Sequence, residues 1–268
     1  MTLVVKRFGP ATRQMVGLMI PGRAGVPSRA NFLLCRPIGQ EATRTASMYR
    51  VIADRLAREG STVLTFDYHG TGDSPGEERD QCLADWSEDI ETAHRVLAAE
   101  SDCPVYWFAM GLACHPALRA AARMSPPPAH VVLWEPVLDG PAYVERLYTA
   151  HRQELEHEYH YPWQRLLQQG RVTEPGLPGD VLGFDFGPKL AEEVQSLPPL
   201  PVASAMRRSV GLTCGIHDEN ESRLASLPAS SLVRVVRIES RTNWMLSQAM
   251  GSAIVPPEVF PALNSSLP

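Results

Sequence analysis

At 268 residues with 44% apolar content, the chain can bury a large core, and α/β units of this length are routinely one domain. A formal charge of -5 argues against the basic face that nucleic-acid binding needs. No apolar run approaches a membrane span, the start Met1 to Phe8 lacks a signal-peptide core, and Cys35, Cys82, Cys103, Cys114 and Cys214 show no metal-ligand spacing. The expectation is a cytoplasmic protein without disulfides, metal, cofactor or membrane partner.

In chain order, Phe32 to Cys35 reads as a strand, Arg36 to Glu41 as a loop, and Ala46 to Glu59 as an amphipathic helix closed by Gly60. Ser61 to Phe66 is the next buried strand and runs into Asp67 to Gly76, a turn rich in Gly and Asp. Strand, loop, helix and strand make a βαβ unit, hence a parallel sheet. Glu41 reads as a helix cap, and Asp67 and Asp73 as braces of their turn. Val105 to Phe108 is a short apolar strand ending in Ala109-Met110-Gly111-Leu112-Ala113, and Pro116 to Arg123 continues as an alanine-rich helix. Small residues on either side of a strained tip let strand and helix approach closely, which is the form of a nucleophile elbow. Gly111 occupies the tip and carries no hydroxyl. Val131 to Trp134 is a further strand with Glu135 at its carboxyl end, and Val210 to Cys214 and Leu232 to Ile238 follow as strands.

Asn31 to Gly76 together with the Gly111 elbow resembles the α/β-hydrolase family, in which a strand ending in Asp-Tyr-x-Gly-x-Gly-Asp-Ser precedes the elbow. More narrowly, Leu34 to Glu41, the Asp67 turn and Leu133 to Tyr143 are similar to a bacterial branch, the exosortase-associated and polyketide- or peptide-cluster hydrolase-like proteins. Members of that branch often carry a residue other than serine at the elbow. The resemblance runs from about Phe32 to about Val259 and is weakest between Tyr148 and Pro178. It implies an α/β-hydrolase fold, a mostly parallel central sheet flanked by helices, in one domain over 1–268 with a helical lid inserted at approximately 141–197.

The family also places an acid after a late strand and a histidine after the last one. Gly215-Ile216-His217-Asp218 has the Gly-x-x-Asp spacing, which makes Asp218 the expected acid, but no histidine occurs beyond His217. A serine hydrolase needs a hydroxyl and an imidazole within hydrogen-bond reach, so the ordinary mechanism is not expected. The backbone can still form an oxyanion hole from the N–H of Leu112 and one from Ile38-Gly39, with Met110, Gly111 and Trp134 completing the expected substrate-binding set.

Candidates for moving a proton are Glu135, aimed at the site by its strand end, Asp218, His69 in the turn after the Asp67 strand and His115 in the elbow helix, with His217 beside them. Each has a bland counterpart: Glu135 as a cap or ion pair of the Pro136 turn, His69 as a variable turn residue, His115 as a satisfied core histidine. Cys114 and Cys35 leave a replacement thiolate open, although buried cysteine commonly serves as a small hydrophobe. His151, His157 and His160 with Glu154 read as a solvated helix face.

Tyr148, Tyr159, Tyr161, Trp163, Phe184 and Phe186 crowd the inserted segment and suggest a bulky, largely apolar ligand. Pro162, Pro175, Pro178 and glycines 170, 176, 179 and 183 divide that segment as they would a mobile cover. The expected activity is cyclisation, elimination or water-mediated cleavage of an acyl or polyketide- or peptide-type small molecule in a biosynthetic pathway. A silent ligand-binding pseudohydrolase, or an esterase or thioesterase with a relocated nucleophile, are the alternatives; a homo-oligomer is left open.

Overall fold

Every residue of β3 (Asn31–Cys35) and β5 (Val105–Met110) is buried in the computed structural model, which describes residues 3–171, 179–220, 230–245, 255–264 and 267. Successive strand side chains point to opposite faces. Leu33, Cys35, Trp107 and Ala109 therefore pack with α2 (Leu83–Ala98) and α3 (Cys114–Arg123). Phe32, Leu34, Tyr106, Phe108 and Met110 pack with α1 (Gly39–Arg58) and the helix Val259–Asn264. Strands covered on both faces read as continuous apolar runs, which is the mark of a parallel sheet under crossover helices.

The other sheet strands are β1 (Val4–Phe8), β2 (Met15–Ile20), β4 (Val63–Asp67), β6 (His130–Trp134), β9 (Gly211–Ile216) and β10 (Val233–Arg237). They form one 8-stranded sheet in the order β1-β2-β4-β3-β5-β6-β9-β10, where the numbers β7 and β8 belong to a separate hairpin. β1 and β2 pair antiparallel, as do β2 and β4, and all other neighbours are parallel. From β3 the chain crosses to β4 on one side and then to β5 on the other. Such a reversal opens a crevice at the carboxyl ends of the strands, the usual place for a ligand in open α/β sheets.

Between β6 and β9 lie α4 (Gly140–Tyr159), α5 (Trp163–Gln168), the hairpin β7 (Asp180–Val181) and β8 (Phe184–Asp185), α6 (Pro188–Gln195) and α7 (Val202–Met206). The Asp139 carboxylate caps α4 by accepting from the Ala142 N–H at 2.9 Å, with a proline in the first turn where no N–H is needed. α4 is tied down to α1 by the ion pair between Arg44 Nη2 and Glu154 Oε1 at 3.2 Å, and Arg44 itself is buried. Residues 175, 176 and 178 of the expected chain breaks lie outside the described residues. No described helix is long and apolar enough to cross a membrane.

One boundary differs from the sequence reading in a way that matters. α1 begins at Gly39, not near Ala46, so Glu41 lies in its first helical turn and not in a loop. Ile38 stays extended just before it, at φ -108° and ψ 168°, and the polar Gly39-Gln40-Glu41 stretch disguises the helix start.

Burial also sets the response of the fold to acid. His94 Nδ1 accepts from Trp107 Nε1 at 3.0 Å, His115 pairs through Nε2 with the Val137 carbonyl at 2.8 Å, and His130 Nε2 lies 2.9 Å from Thr213 Oγ1. Removal from water holds each imidazole neutral and lowers its pKa from 6.5 to about 4. With the folded value below the unfolded one, the stability these groups give is complete above pH 6.5 and is lost as pH falls towards about 4, on the order of 3 kcal/mol at most for each. Calorimetry between pH 7 and 4 should show a falling Tm. His94→Gln, which keeps an acceptor for Trp107, should flatten that fall; an unchanged slope would contradict the assignment.

Candidate active site

The turn after β5 is the floor of a wide crevice lined by Gly111, Glu135 and His217. β5 ends at Met110, Gly111 follows at φ 60°, and a short 3-10 turn over Gly111–Ala113 leads into α3. Ala109 and Ala113 are fully buried, so the strand and helix close on each other with no room for larger side chains. The Gly111 carbonyl accepts from the Val137 N–H at 3.3 Å, which stitches this turn to the one after β6. A Cβ added at Gly111 would find its nearest neighbours at Glu41 Oε2, 3.7 Å away, and Pro37 Cβ, 3.8 Å away, which is ordinary van der Waals contact. The space over the turn is open, and a carboxylate faces it.

β6 delivers Glu135 next to it. Glu135 holds φ 46°, a left-handed conformation that costs a residue with a Cβ about 1–2 kcal/mol, and its N–H donates to the Gly215 carbonyl at 2.9 Å. β9 delivers His217, whose Nδ1 lies 3.1 Å from the Ile238 carbonyl and whose Nε2 lies 3.9 Å from Glu135 Oε2. At that separation the contact is an ion pair and not a hydrogen bond. The Glu135 carboxylate raises the His217 pKa above 6.5 against the opposing effect of burial. Trp244 Nε1 reaches the other Glu135 oxygen at 3.5 Å, from the chain that follows β10.

The opposite wall is α1 and α4. Tyr143, nearly fully buried, donates its hydroxyl to Glu41 Oε2 at 2.8 Å. Glu41 lines the crevice, yet protein atoms crowd its carboxyl, and that desolvation pushes its pKa up to about 7; Glu135 adds to the rise while Tyr143 and the Arg146 guanidinium oppose it. The whole crevice measures about 990 Å³. Apolar groups on its lining include Met110, Val137, Leu138 and Met245, and polar ones Arg146, Gln153, Asn220, Arg241 and Asn243.

The structure sorts the residues singled out from sequence. Glu135, Met110 and Gly111 line this crevice, and so does His217. Asp218 does not: the turn after β9 sends it outward, with its side chain 74% exposed and 3.4 Å from Arg237 Nε. His69 is not on the lining either: its Nδ1 lies 2.9 Å from the Gln14 carbonyl and its N–H donates to Asp89 Oδ2. His115 is 1% exposed and held under the Val137 turn, as a scaffold histidine. Trp134 is buried within the core on the α1 side, the face that alternate residues of β6 share, and packs on β9: a Cβ at Gly215 would come 2.5 Å from its ring. Leu112 is likewise a core side chain, so only its backbone is available. Ile38 and Gly39 line smaller cavities beside the crevice, with Phe184.

Neither cysteine is placed for attack. Cys114 and Cys35 are fully buried, burial raises both thiols well above their usual range, and Cys114 Sγ donates to the Ala109 carbonyl at 3.3 Å. None of the six aromatics singled out in the segment between β6 and β9 lines the crevice; Tyr148 and Trp163 pack edge to face at 5.9 Å, and Arg165 and Arg171 lie over Tyr161 and Tyr159. His151 Nδ1 accepts from the Leu182 N–H at 3.0 Å. Among the described residues no group of three His, Cys, Asp or Glu is placed to hold a metal ion. Glu41 and Tyr143 were not singled out as site residues by sequence reasoning; the signal available was an acidic residue directly after the loop that follows β3.

No family model and no curated protein matches the sequence. Solved structures match the shape. A thioesterase domain from the curacin biosynthetic pathway is 15% identical with a TM-score of 0.56, covering 98% of this chain and 99% of its own. An α/β serine hydrolase without a lid from Xanthomonas campestris is 13% identical with a TM-score of 0.55, covering 99% and 95%. Proline iminopeptidase from Mycobacterium smegmatis is 12% identical with a TM-score of 0.53, covering 87% and 89%. At such identities the likeness speaks for architecture alone: the chain has an α/β-hydrolase fold.

Proposed function

We propose that this crevice is the active site of an enzyme that works by proton transfer without a covalent serine intermediate, on an acyl or polyketide- or peptide-type small molecule. Cyclisation, elimination or water-mediated cleavage are the reactions that such a site can run, and a biosynthetic pathway is the setting that the sequence resemblance suggests. The observation that carries the reading is the His217–Glu135 pair at 3.9 Å beside a turn whose tip, Gly111, offers no nucleophile.

The proton inventory of the pair supports it. The Ile238 carbonyl can only accept, so Nδ1 of His217 carries a hydrogen, and Nε2 then faces a carboxylate. Both ring nitrogens address acceptors, which favours the imidazolium. Such a group can protonate a leaving atom and then regain a proton from solvent, which the facing Glu135 carboxylate favours. Leu112 lies in the first turn after the strand, where an N–H has no intrahelical acceptor and is free to polarise a substrate carbonyl. The left-handed backbone of Glu135 fits this reading, since strained residues gather at functional sites.

The mixture of polar and apolar groups on the crevice wall fits a ligand with an apolar body and several hydrogen-bonding groups. The described residues of segment 141–197 are proposed to act as the cover, with α4 as their inner face. A silent binding protein is the second reading, favoured by the missing hydroxyl at position 111.

Two measurements test the pair. In NMR titration, His217 should titrate above 6.5 and return towards 6.5 in Glu135→Gln. Because the folded value is the higher one, the pair's contribution to stability should be complete below pH 6.5 and disappear as pH rises through the folded pKa, a difference absent in the variant. For activity, p-nitrophenyl acyl esters and acyl N-acetylcysteamine thioesters serve as probes. Turnover should survive a thiol-blocking reagent and fall roughly 100-fold in Glu135→Gln; no turnover of any probe would leave the silent binder.

A further inference from the structure

Resting on the reading that this crevice is catalytic, we infer that Glu41 is the group that acts on the reacting oxygen, taking a proton from a water seated over Gly111, and that Tyr143 positions it. A Cβ on Gly111 would stand 3.7 Å from Glu41 Oε2 and 3.8 Å from Pro37 Cβ, the nearest atoms to it among the described residues beyond its chain neighbours. In a serine hydrolase that volume holds the nucleophilic hydroxyl. Here it has room for an oxygen brought by solvent, within hydrogen-bond reach of a carboxylate.

The carboxylate is held in place. Tyr143 reaches it from α4, 102 residues further along the chain, and is itself 1% exposed, so the 2.8 Å bond fixes the Glu41 side chain over the turn. A carboxylate oxygen has two acceptor sites, so Oε2 can keep Tyr143 and still receive a hydrogen from water. The Arg44–Glu154 ion pair clamps the same two helices, which keeps the spacing of Glu41 and Tyr143 from drifting. Its pKa of about 7 leaves Glu41 able both to accept and to return a proton near neutrality.

The step balances without a further reagent. Glu41 takes a proton from water as the water oxygen bonds to the substrate's carbonyl carbon. The tetrahedral species then breaks its bond to the leaving oxygen or sulfur, and that atom takes the proton from Glu41, which becomes a carboxylate again. An acid and an alcohol or thiol leave.

The test follows hydrolysis of p-nitrophenyl butyrate and butyryl N-acetylcysteamine by the full chain in ¹⁸O-labelled water, across pH. Wild-type kcat should rise with pH along a limb centred near 7, and label should enter the acid product. Glu41→Gln, which keeps an acceptor for Tyr143, should lower kcat roughly 100-fold with little change in KM. Tyr143→Phe should move the limb to higher pH, because the lost hydrogen bond favours the charged carboxylate. Gly111→Ala, with its fold checked by thermal melting, should fill the water site and abolish turnover. If Glu135→Gln is inactive while Glu41→Gln keeps the wild-type rate and limb, the assignment of Glu41 fails and the cleft reading stands. If neither variant changes turnover, or the wild type turns over neither probe, both fail.

Discussion

The constraint on which the molecule depends is the burial of β3, β5 and β6 on both faces. A strand packed between two helix layers has no side-chain position left that reaches water except at its ends. Polar chemistry is thereby confined to the residue that follows each strand, and three consecutive neighbours in the sheet, β5, β6 and β9, deliver Gly111, Glu135 and His217 to one rim. The tight packing beneath is what holds these positions: Ala109 and Ala113 admit α3 against β5, and Gly215 admits the Trp134 ring against β9. A larger side chain at either place would push apart the strand ends that carry the site.

Two glutamates on this rim live under different electrostatic regimes. Glu135 faces an imidazole and an indole N–H, both able to compensate its charge. Glu41 faces a phenol and sits among protein atoms, with Glu135 adding repulsion, so its charge is resisted. Burying a carboxyl that is only partly compensated costs stability, and the fold tolerates the cost because α1 and α4 fix the residue from both sides. A carboxyl whose charge is resisted, close to an imidazole whose charge is favoured, puts a base and an acid in one crevice.

The architecture was legible because it rests on local pattern. Val105 to Phe108, Ser61 to Phe66 and Val131 to Trp134 announce buried strands by composition, and the Asp67 turn and the Gly111 turn announce themselves by small residues. The rim was less legible, for reasons that can be named. The side-chain phase at the end of β9 decides between His217 and Asp218, and a one-residue difference sends the acid to solvent and the imidazole inward. His69 and His115 stand near the right motifs along the chain, but their rings turn to backbone carbonyls away from the crevice. Glu41 was hidden by a helix start concealed in polar residues, and its partner Tyr143 by a sequence separation that no local pattern reports.

The bare turn at position 111 has a practical side. Fluorophosphonates and related warheads identify hydrolases of this architecture by bonding to the hydroxyl at the elbow, and here that position presents only a backbone Cα. The turn keeps its left-handed bend although no side chain uses it. A proteome survey that relies on such tagging would pass this protein by at that position, whatever its turnover.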